Sequence, residues 1–415
     1  MVFSAETAQS VLKSGDFGHI CKPNSIFYNV MRPFLGNSLL LHEGQLWRDR
    51  RKIIMRCMSF HHLRTYTSLL NKHSKRIVND LGDLFADGKS HRINTNISGL
   101  FVAIITEIVT GSDIEGAKGG AEFHHNFQKW KTCIIKRLEK IWLHPDILWK
   151  FSSHKIIHDQ AVSNISAFSR QKLMEHKQRR EEKSVKFRNT IDELIDSGQS
   201  DEEIVRELHT LLSGGHEMSA TTMHLFLLLM ATHQNYQDLC RKEIDAIFED
   251  EEQSSNGSLK FEAINRLKYL EMCLMETMRL LPPVFAFMRQ LKTGMDIEYE
   301  GKEIHVPPGT QVAIVPWAIH RNENYWSNPE TFDPDRFLPE ECAKRHSHAY
   351  LPFSAGPRNC FGMKLGMNEM KVVAAHVLRN FRVESTDRLE DIPLLPTVTV
   401  TPERDYNFVM RKRAL

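Results

Sequence analysis

One cysteine sits in the stretch Phe353-Ser-Ala-Gly-Pro-Arg-Asn-Cys360-Phe-Gly362, with a glycine on either side and an arginine two residues before the sulfur. These neighbours suit a thiolate better than a structural thiol. Gly356 and Gly362 let backbone amides approach the sulfur, because no Cβ intervenes. The run from Gly362 to about Phe381 reads as a helix, so its N-terminal amides and dipole would face the sulfur and stabilise a negative charge there. Phe353 supplies an apolar wall, and Arg358 a fixed cation for an anionic group beside a metal. Two other groupings hold paired functional groups. Glu276 and Arg279 are three apart on an apolar helix (Leu270, Met272, Leu274, Met275, Leu280), which buries the pair and requires further partners. Trp47 and Arg51, four apart, share a helical face.

The elements that must position these groups follow from periodicity. The 415 residues can bury a large core, as one big domain or as two or three ordinary ones, and the net charge of +2 leaves no nucleic-acid footprint. Seven dispersed cysteines, with no C-x-x-C pair, point to a reducing compartment without a disulfide framework. His154 and His158, four apart, read as a solvated pair in the absence of an H-E-x-x-H context. Met1–Ser10 lacks the apolar h-region of a signal peptide, and the apolar run Leu225–Ala231 is far short of the ~20 residues of a membrane span. Residues 1 to about 285 read mostly as helix. The charge run 178–183 reads as a solvated helix end and 249–257 as a loop. Ser200-Asp-Glu-Glu203 forms a capping box opening a long helix to about His233. Beyond Pro282-Pro283 strands are expected: a hairpin over 296–306 turning at Glu300-Gly301, then Gln311–Val315, and later the alternating Thr397–Thr401. The expected architecture is mainly α, an α+β chain rich in helix with small sheets.

The spacing Phe-x-x-Gly-x-Arg-x-Cys-x-Gly resembles the haem-binding loop of the cytochrome P450 family, and the other groupings resemble further motifs of that family in family order. The resemblance covers nearly the whole chain and implies a single P450 catalytic domain over 1–415. It implies haem b, bound non-covalently, with Cys360 as the iron ligand. Such a thiolate pushes electron density toward O–O cleavage. It also implies that Trp47, Arg51, Arg289 and Arg358 hold the propionates, since the planar guanidinium pairs carboxylates bidentately. Arg336 would join Glu276 and Arg279 in a buried structural network. The segments Leu143-His-Pro-Asp-Ile147, Gly215-His-Glu217 and Ala318-Ile-His-Arg-Asn322, followed by Tyr325-Trp326, are similar to the fatty-acid ω-hydroxylase clan and its insect members. Oxygen insertion into an apolar substrate is then implied: a fatty acid, steroid, other lipid or xenobiotic. The implied partners are NADPH-cytochrome P450 reductase, with Lys364 and Lys371 as candidate contacts, and cytochrome b5. The implied location is the cytosolic face of the endoplasmic reticulum membrane.

The chain departs from the family pattern in three places. The oxygen-activation stretch is Gly214-Gly-His-Glu-Met218-Ser219. Gly215 would border the oxygen groove and Glu217 would fill the acid position, but Met218 stands where a hydroxyl is expected. A thioether cannot donate a proton. Ser219 would replace the hydroxyl only if the helix unwinds at Gly214-Gly215. Gly214 also stands where some ω-hydroxylases carry the Glu that esterifies haem. Compared with the family pattern the chain is expected to start past the upstream anchor, first helix and first strands, which would leave Gln311–Val315 as an open sheet edge. The missing hydroxyl keeps two alternatives in view: a haem-thiolate isomerase or dehydratase acting on lipid peroxides, and a non-catalytic degenerate copy.

Overall fold

The computed structural model describes residues 1–13, 20–22, 25–115, 117–299 and 302–414. Two compact units emerge, each assembled from separated segments. The first comprises Met1–Pro23, Leu84–Arg92 and Thr221–Leu415; the second comprises Asn24–Asp83 and Ile93–Ala220.

The second unit is helical throughout its described residues. Its centre is Asn94–Thr110, where every residue from Ile97 to Thr110 is buried, as expected of a helix that is apolar on all sides. Ala117–Glu139 packs on this helix, and Ser153–Glu181 on Ala117–Glu139. The long helix Asp201–Thr232 begins in this unit and runs unbroken. Its capping box is formed as expected, with Ser200 N–H donating to the Glu203 carboxylate at 2.9 Å and Glu203 N–H to Ser200 Oγ at 3.4 Å.

The first unit holds the strands. Ile20–Cys21, Phe287–Leu291 and Gln311–Ile314 form an antiparallel sheet. Met295–Tyr299 pairs with Lys302–Val306, so the expected hairpin exists, while its turn at 300–301 lies outside the described residues. The helices Lys268–Leu280 and Met363–Asn380 pack together beside this framework. Lys268–Leu280 carries the Glu276/Arg279 pair and Met363–Asn380 follows the cysteine loop.

Several local expectations are corrected. The edge at Gln311–Ile314 is not open along its length: Val2 N–H donates to Ala313 O at 2.8 Å, and Val315 N–H to Val2 O at 3.2 Å. Thr397–Thr401 is only partly a strand: Val400 and Thr401 pair with Pro396 and Leu395 in a hairpin, and Thr397–Thr399 form its bend. The stretch 249–257 contains a minimal hairpin. Ser254–Ser255 pairs with Ser258–Leu259 across Asn256 and Gly257, both with positive φ (50° and 64°), the conformation a two-residue turn requires. Of the histidine pair, His158 is buried beside Trp149, while His154 stays partly exposed. The six cysteines whose side chains are described, Cys57, Cys133, Cys240, Cys273, Cys342 and Cys360, are thiols.

Candidate functional site

In the first unit the cysteine loop is closed by its own backbone. Cys360 N–H donates to Phe353 O at 2.9 Å, and Asn359 N–H to Gly356 O at 3.1 Å. Gly356 has φ of +71°, and a Cβ there would lie 2.1 Å from Leu12 O, so only glycine fits. Gly362 caps the helix Met363–Asn380, and a Cβ on it would stand 3.9 Å from the Cys360 sulfur. Cys360 itself is exposed, and Phe353 is half-buried.

The loop is wired to the Glu276/Arg279 pair. Both residues are fully buried. Arg279 grips the carboxylate with two bonds, at 2.7 and 2.8 Å, and also donates to His320 O at 2.8 Å and Thr331 O at 3.1 Å. Its guanidinium lies 5.1 Å from the Trp326 ring centroid. Glu276 additionally accepts from Asp333 N–H at 2.9 Å, and Arg336 approaches it at 3.5 Å. The spare capacity of each charge is met, as burial demands. His320 carries the network onward. Its Nδ1 bonds Arg279 O at 3.2 Å, while its Nε2 accepts from Leu351 N–H at 2.7 Å, two residues before Phe353. That pattern requires a neutral ring, and burial pushes the imidazole down to about 3, with the Arg279 charge acting in the same direction. Tyr350 OH adds a bond to Met275 O at 2.9 Å. His320 and Tyr350 were missed as site residues. Ala318-Ile-His-Arg-Asn322 stood out in the sequence only as a family resemblance, and nothing local links it to Leu351.

Three cations gather near the loop. Arg289 is buried on the strand Phe287–Leu291, donating to Met288 O at 2.9 Å and reaching Ser354 Oγ at 3.5 Å. Arg358 lies in the loop. Lys22 follows the strand Ile20–Cys21, and desolvation together with the charges of Arg289 and Arg358 holds its ammonium well below the usual lysine range. Cations crowded in this way call for anions, so the cluster fits a group carrying two carboxylates beside a thiolate-bound metal. Lys22 was not foreseen. Lys371 is no surface lysine: it is buried and bonded to Glu271 at 2.9 Å, whereas Lys364 is exposed.

In the second unit Trp47 is buried, and the Arg51 guanidinium lies 5.6 Å from its ring centroid. The helix Gly44–Arg56 that carries them is pinned by Arg50, which reaches Glu203 at 3.3 Å and Glu207 at 3.5 Å. Burial pushes the Glu207 carboxyl up to about 7, against the Leu39 N–H bond and the Arg50 charge. Arg50 was also missed, although it lies three residues past Trp47 and so on the same face.

On the long helix, Gly214, Gly215, Met218 and Thr221 form the less buried stripe, whereas Glu217 and Ser219 are buried. The helix is continuous through Gly214-Gly215, so no unwinding brings Ser219 into the position of Met218. Gly215 has a packing role, since a Cβ there would sit 2.5 Å from Ile105 Cγ1. Glu217 bonds Lys131 at 2.5 Å and Gln128 at 3.2 Å. Burial alone would raise its carboxyl, but the Lys131 charge and its hydrogen bond hold it well below the usual range, ionised at neutral pH.

Comparison with known proteins agrees with this arrangement. The cytochrome P450 family model matches residues 1–410. The chain is 29% identical to Cytochrome P450 4c3 of Drosophila melanogaster, covering 97% of this chain and 78% of that one. It is 28% identical to Cytochrome P450 4V2 of Rattus norvegicus, over 99% and 80% of the two chains, and 30% identical to Cytochrome P450 4F4 of the same animal, over 88% and 72%. With a match of that extent and an exposed cysteine in a closed loop beside clustered cations, the chain belongs to the cytochrome P450 family, as a haem-dependent monooxygenase.

Proposed function

We propose that this protein binds haem b non-covalently and inserts one oxygen atom from O2 into an apolar lipid substrate. Electrons would come from NADPH-cytochrome P450 reductase, with cytochrome b5 as a second donor. When bound, the haem supplies the oxygen-activating iron centre. The chain's residues do the rest. Cys360 offers its sulfur, and Arg289, Arg358 and Lys22, with Trp47 and Arg51, would hold the propionates. Gly356 and Gly362 leave room for close backbone approach. Glu276, Arg279 and Arg336 brace the loop through His320. Gly215, on the less buried stripe with Met218, would border the oxygen site, and Glu217 would sit behind it in its ion pair with Lys131. The whole chain would act as one catalytic domain. The observation that carries this reading is the closed Cys360 loop with its clustered cations.

Membrane association is supported by an apolar surface rather than by a span, because no described helix is long and apolar enough to cross a bilayer. Ile141, Trp142, Ile147, Phe151 and Ile156 are 61–80% exposed within one stretch of the second unit, interleaved with Lys140, Lys150 and Lys155. Such a basic, Trp-bearing apolar patch suits the headgroup region of the endoplasmic reticulum membrane. The resemblance to fatty-acid ω-hydroxylases supports a lipid substrate.

The test is the reduced, CO-bound absorption spectrum. A strongly red-shifted thiolate-type Soret band is expected, absent in Cys360→Ser, followed by reductase-supported oxidation of a panel of fatty acids. A band at the imidazole-type position in the unsubstituted protein would overturn the assignment of Cys360.

A further inference from the structure

A second cluster of ligating side chains lies in the second unit. His124 on the helix Ala117–Glu139, and His216 and Glu217 on the long helix, bring two imidazole nitrogens and a carboxylate oxygen within 4.8 Å of one another. All three residues are more than nine-tenths buried. His216 Nδ1 donates to Leu212 O at 2.7 Å, which leaves Nε2 as the lone-pair nitrogen, 3.7 Å from the Glu217 carboxylate. Neither His216 Nε2 nor His124 Nδ1 has a hydrogen-bond partner among the described residues. Buried, unpartnered imidazole nitrogens on two residues of one cluster are costly unless something engages them.

We propose that His124, His216 and Glu217 form a binding site for a divalent transition metal of the zinc type, with Lys131 as the built-in competitor for the carboxylate. The donor set of two imidazoles and one carboxylate is among the common zinc sets, and contraction of the cluster by about 1 Å would bring it to bonding distance of ~2.0–2.2 Å. The bond from His216 to Leu212 O is the outer contact that fixes ring and tautomer in metal-binding histidines. The aromatic edges of Phe123 and Phe127, at 5.6 and 5.0 Å from the His216 ring centroid, supply a dry wall. Burial keeps both histidines neutral, as ligation requires, with His124 pushed down to about 4. Opposing the metal is the Lys131 ammonium on Glu217 Oε1 at 2.5 Å, while Gln128 holds Oε2 at 3.2 Å. Metal entry therefore displaces Lys131 from the carboxylate. This inference does not rest on the haem assignment.

The test is zinc titration of the haem-loaded protein by calorimetry, with retained zinc measured per chain and its ligands read from zinc X-ray absorption. One zinc per chain bound through nitrogen and oxygen is expected. His124→Asn should weaken binding by at least about 10-fold, and Lys131→Met should tighten it. Sulfur ligation, no retained zinc, binding unaffected by His124→Asn, or weaker binding in Lys131→Met would each overturn the proposal. The spectroscopy and the Lys131 variant keep the test decisive should the His124 variant fold poorly. Haem content, followed by its Soret band, reports separately on the Cys360 reading.

Discussion

The cysteine side of the first unit and the middle of the long helix handle buried charge in different ways. Around Glu276, each charged group has several partners, and the chain of bonds ends on Leu351, at the root of the Cys360 loop. Around Glu217, the carboxylate is tied to Lys131 and Gln128, yet one ring nitrogen on each of the clustered histidines His124 and His216 stays unpartnered among the described residues. The first pattern belongs to a scaffold whose geometry must not move. The second leaves unspent binding capacity and belongs to a place that takes up a proton, a metal or a ligand. The lesson is that buried charge braces the fold where each carboxylate and guanidinium is shared among several partners, and leaves binding capacity where neighbouring ring nitrogens are not shared.

The comparison is broken most severely at Glu276. Glu276→Ala leaves the Arg279 charge uncompensated and should cost ~3–5 kcal/mol, much of the ~5–15 kcal/mol that holds a domain. Urea denaturation with haem content measured in parallel checks this; a loss below about 1 kcal/mol would show that the pair does not brace the loop. Next is His320→Phe, which leaves Leu351 N–H unpaired at a cost of ~1–3 kcal/mol. It should also alter the acid response. The folded value of His320, about 3, lies below the ordinary 6.5. Its contribution is therefore fully present above about pH 6.5 and is lost as pH falls toward 3, with a slope near 1.4 kcal/mol per pH unit. Stability curves between pH 6.5 and 4 should be visibly flatter in the variant; an unchanged slope would mean another group sets acid sensitivity. The smallest stability effect is expected from Tyr350→Phe, about 0.5–1.5 kcal/mol, because Met275 O keeps its place in the helix. A larger thermal shift than that of His320→Phe would reverse the assigned order.

The other side of the comparison is sharpened by Met218→Thr, which restores a hydroxyl on the less buried stripe of the long helix. Product formed per reductant consumed should rise severalfold, read as the ratio of oxidised lipid to NADPH. No change would show that the missing hydroxyl does not limit oxygen activation.

Much of the fold was legible because helices declare themselves through a period of 3.6 and through end signals. Ser200-Asp-Glu-Glu203 opened the long helix where it begins, and the helix after Gly362 ends at Asn380. Expectations failed where alternation or polarity has two structural causes. Thr397–Thr399 bends between two paired strands before Val400 and Thr401 join the second, and the polar stretch 249–257 turns at Asn256-Gly257 into a two-residue hairpin. Lys371 has the composition of a surface residue but lies on the packed face of its helix, where Glu271 binds it.

The sequence by itself determined the chemical groups and their local spacing: the thiol between its glycines, the carboxylate three residues from its guanidinium, the indole four residues from Arg51, and the thioether at 218. These depend on neighbours a few residues away, so order along the chain encodes them. Only the tertiary structure decided which distant groups complete them. His320 reaches Leu351 across 31 residues, Lys131 reaches Glu217 across 86, and Lys22 joins Arg289 and Arg358 from the far end of the chain. Burial sets the energy of each of those meetings, and burial is a property of the packed fold that no local pattern carries.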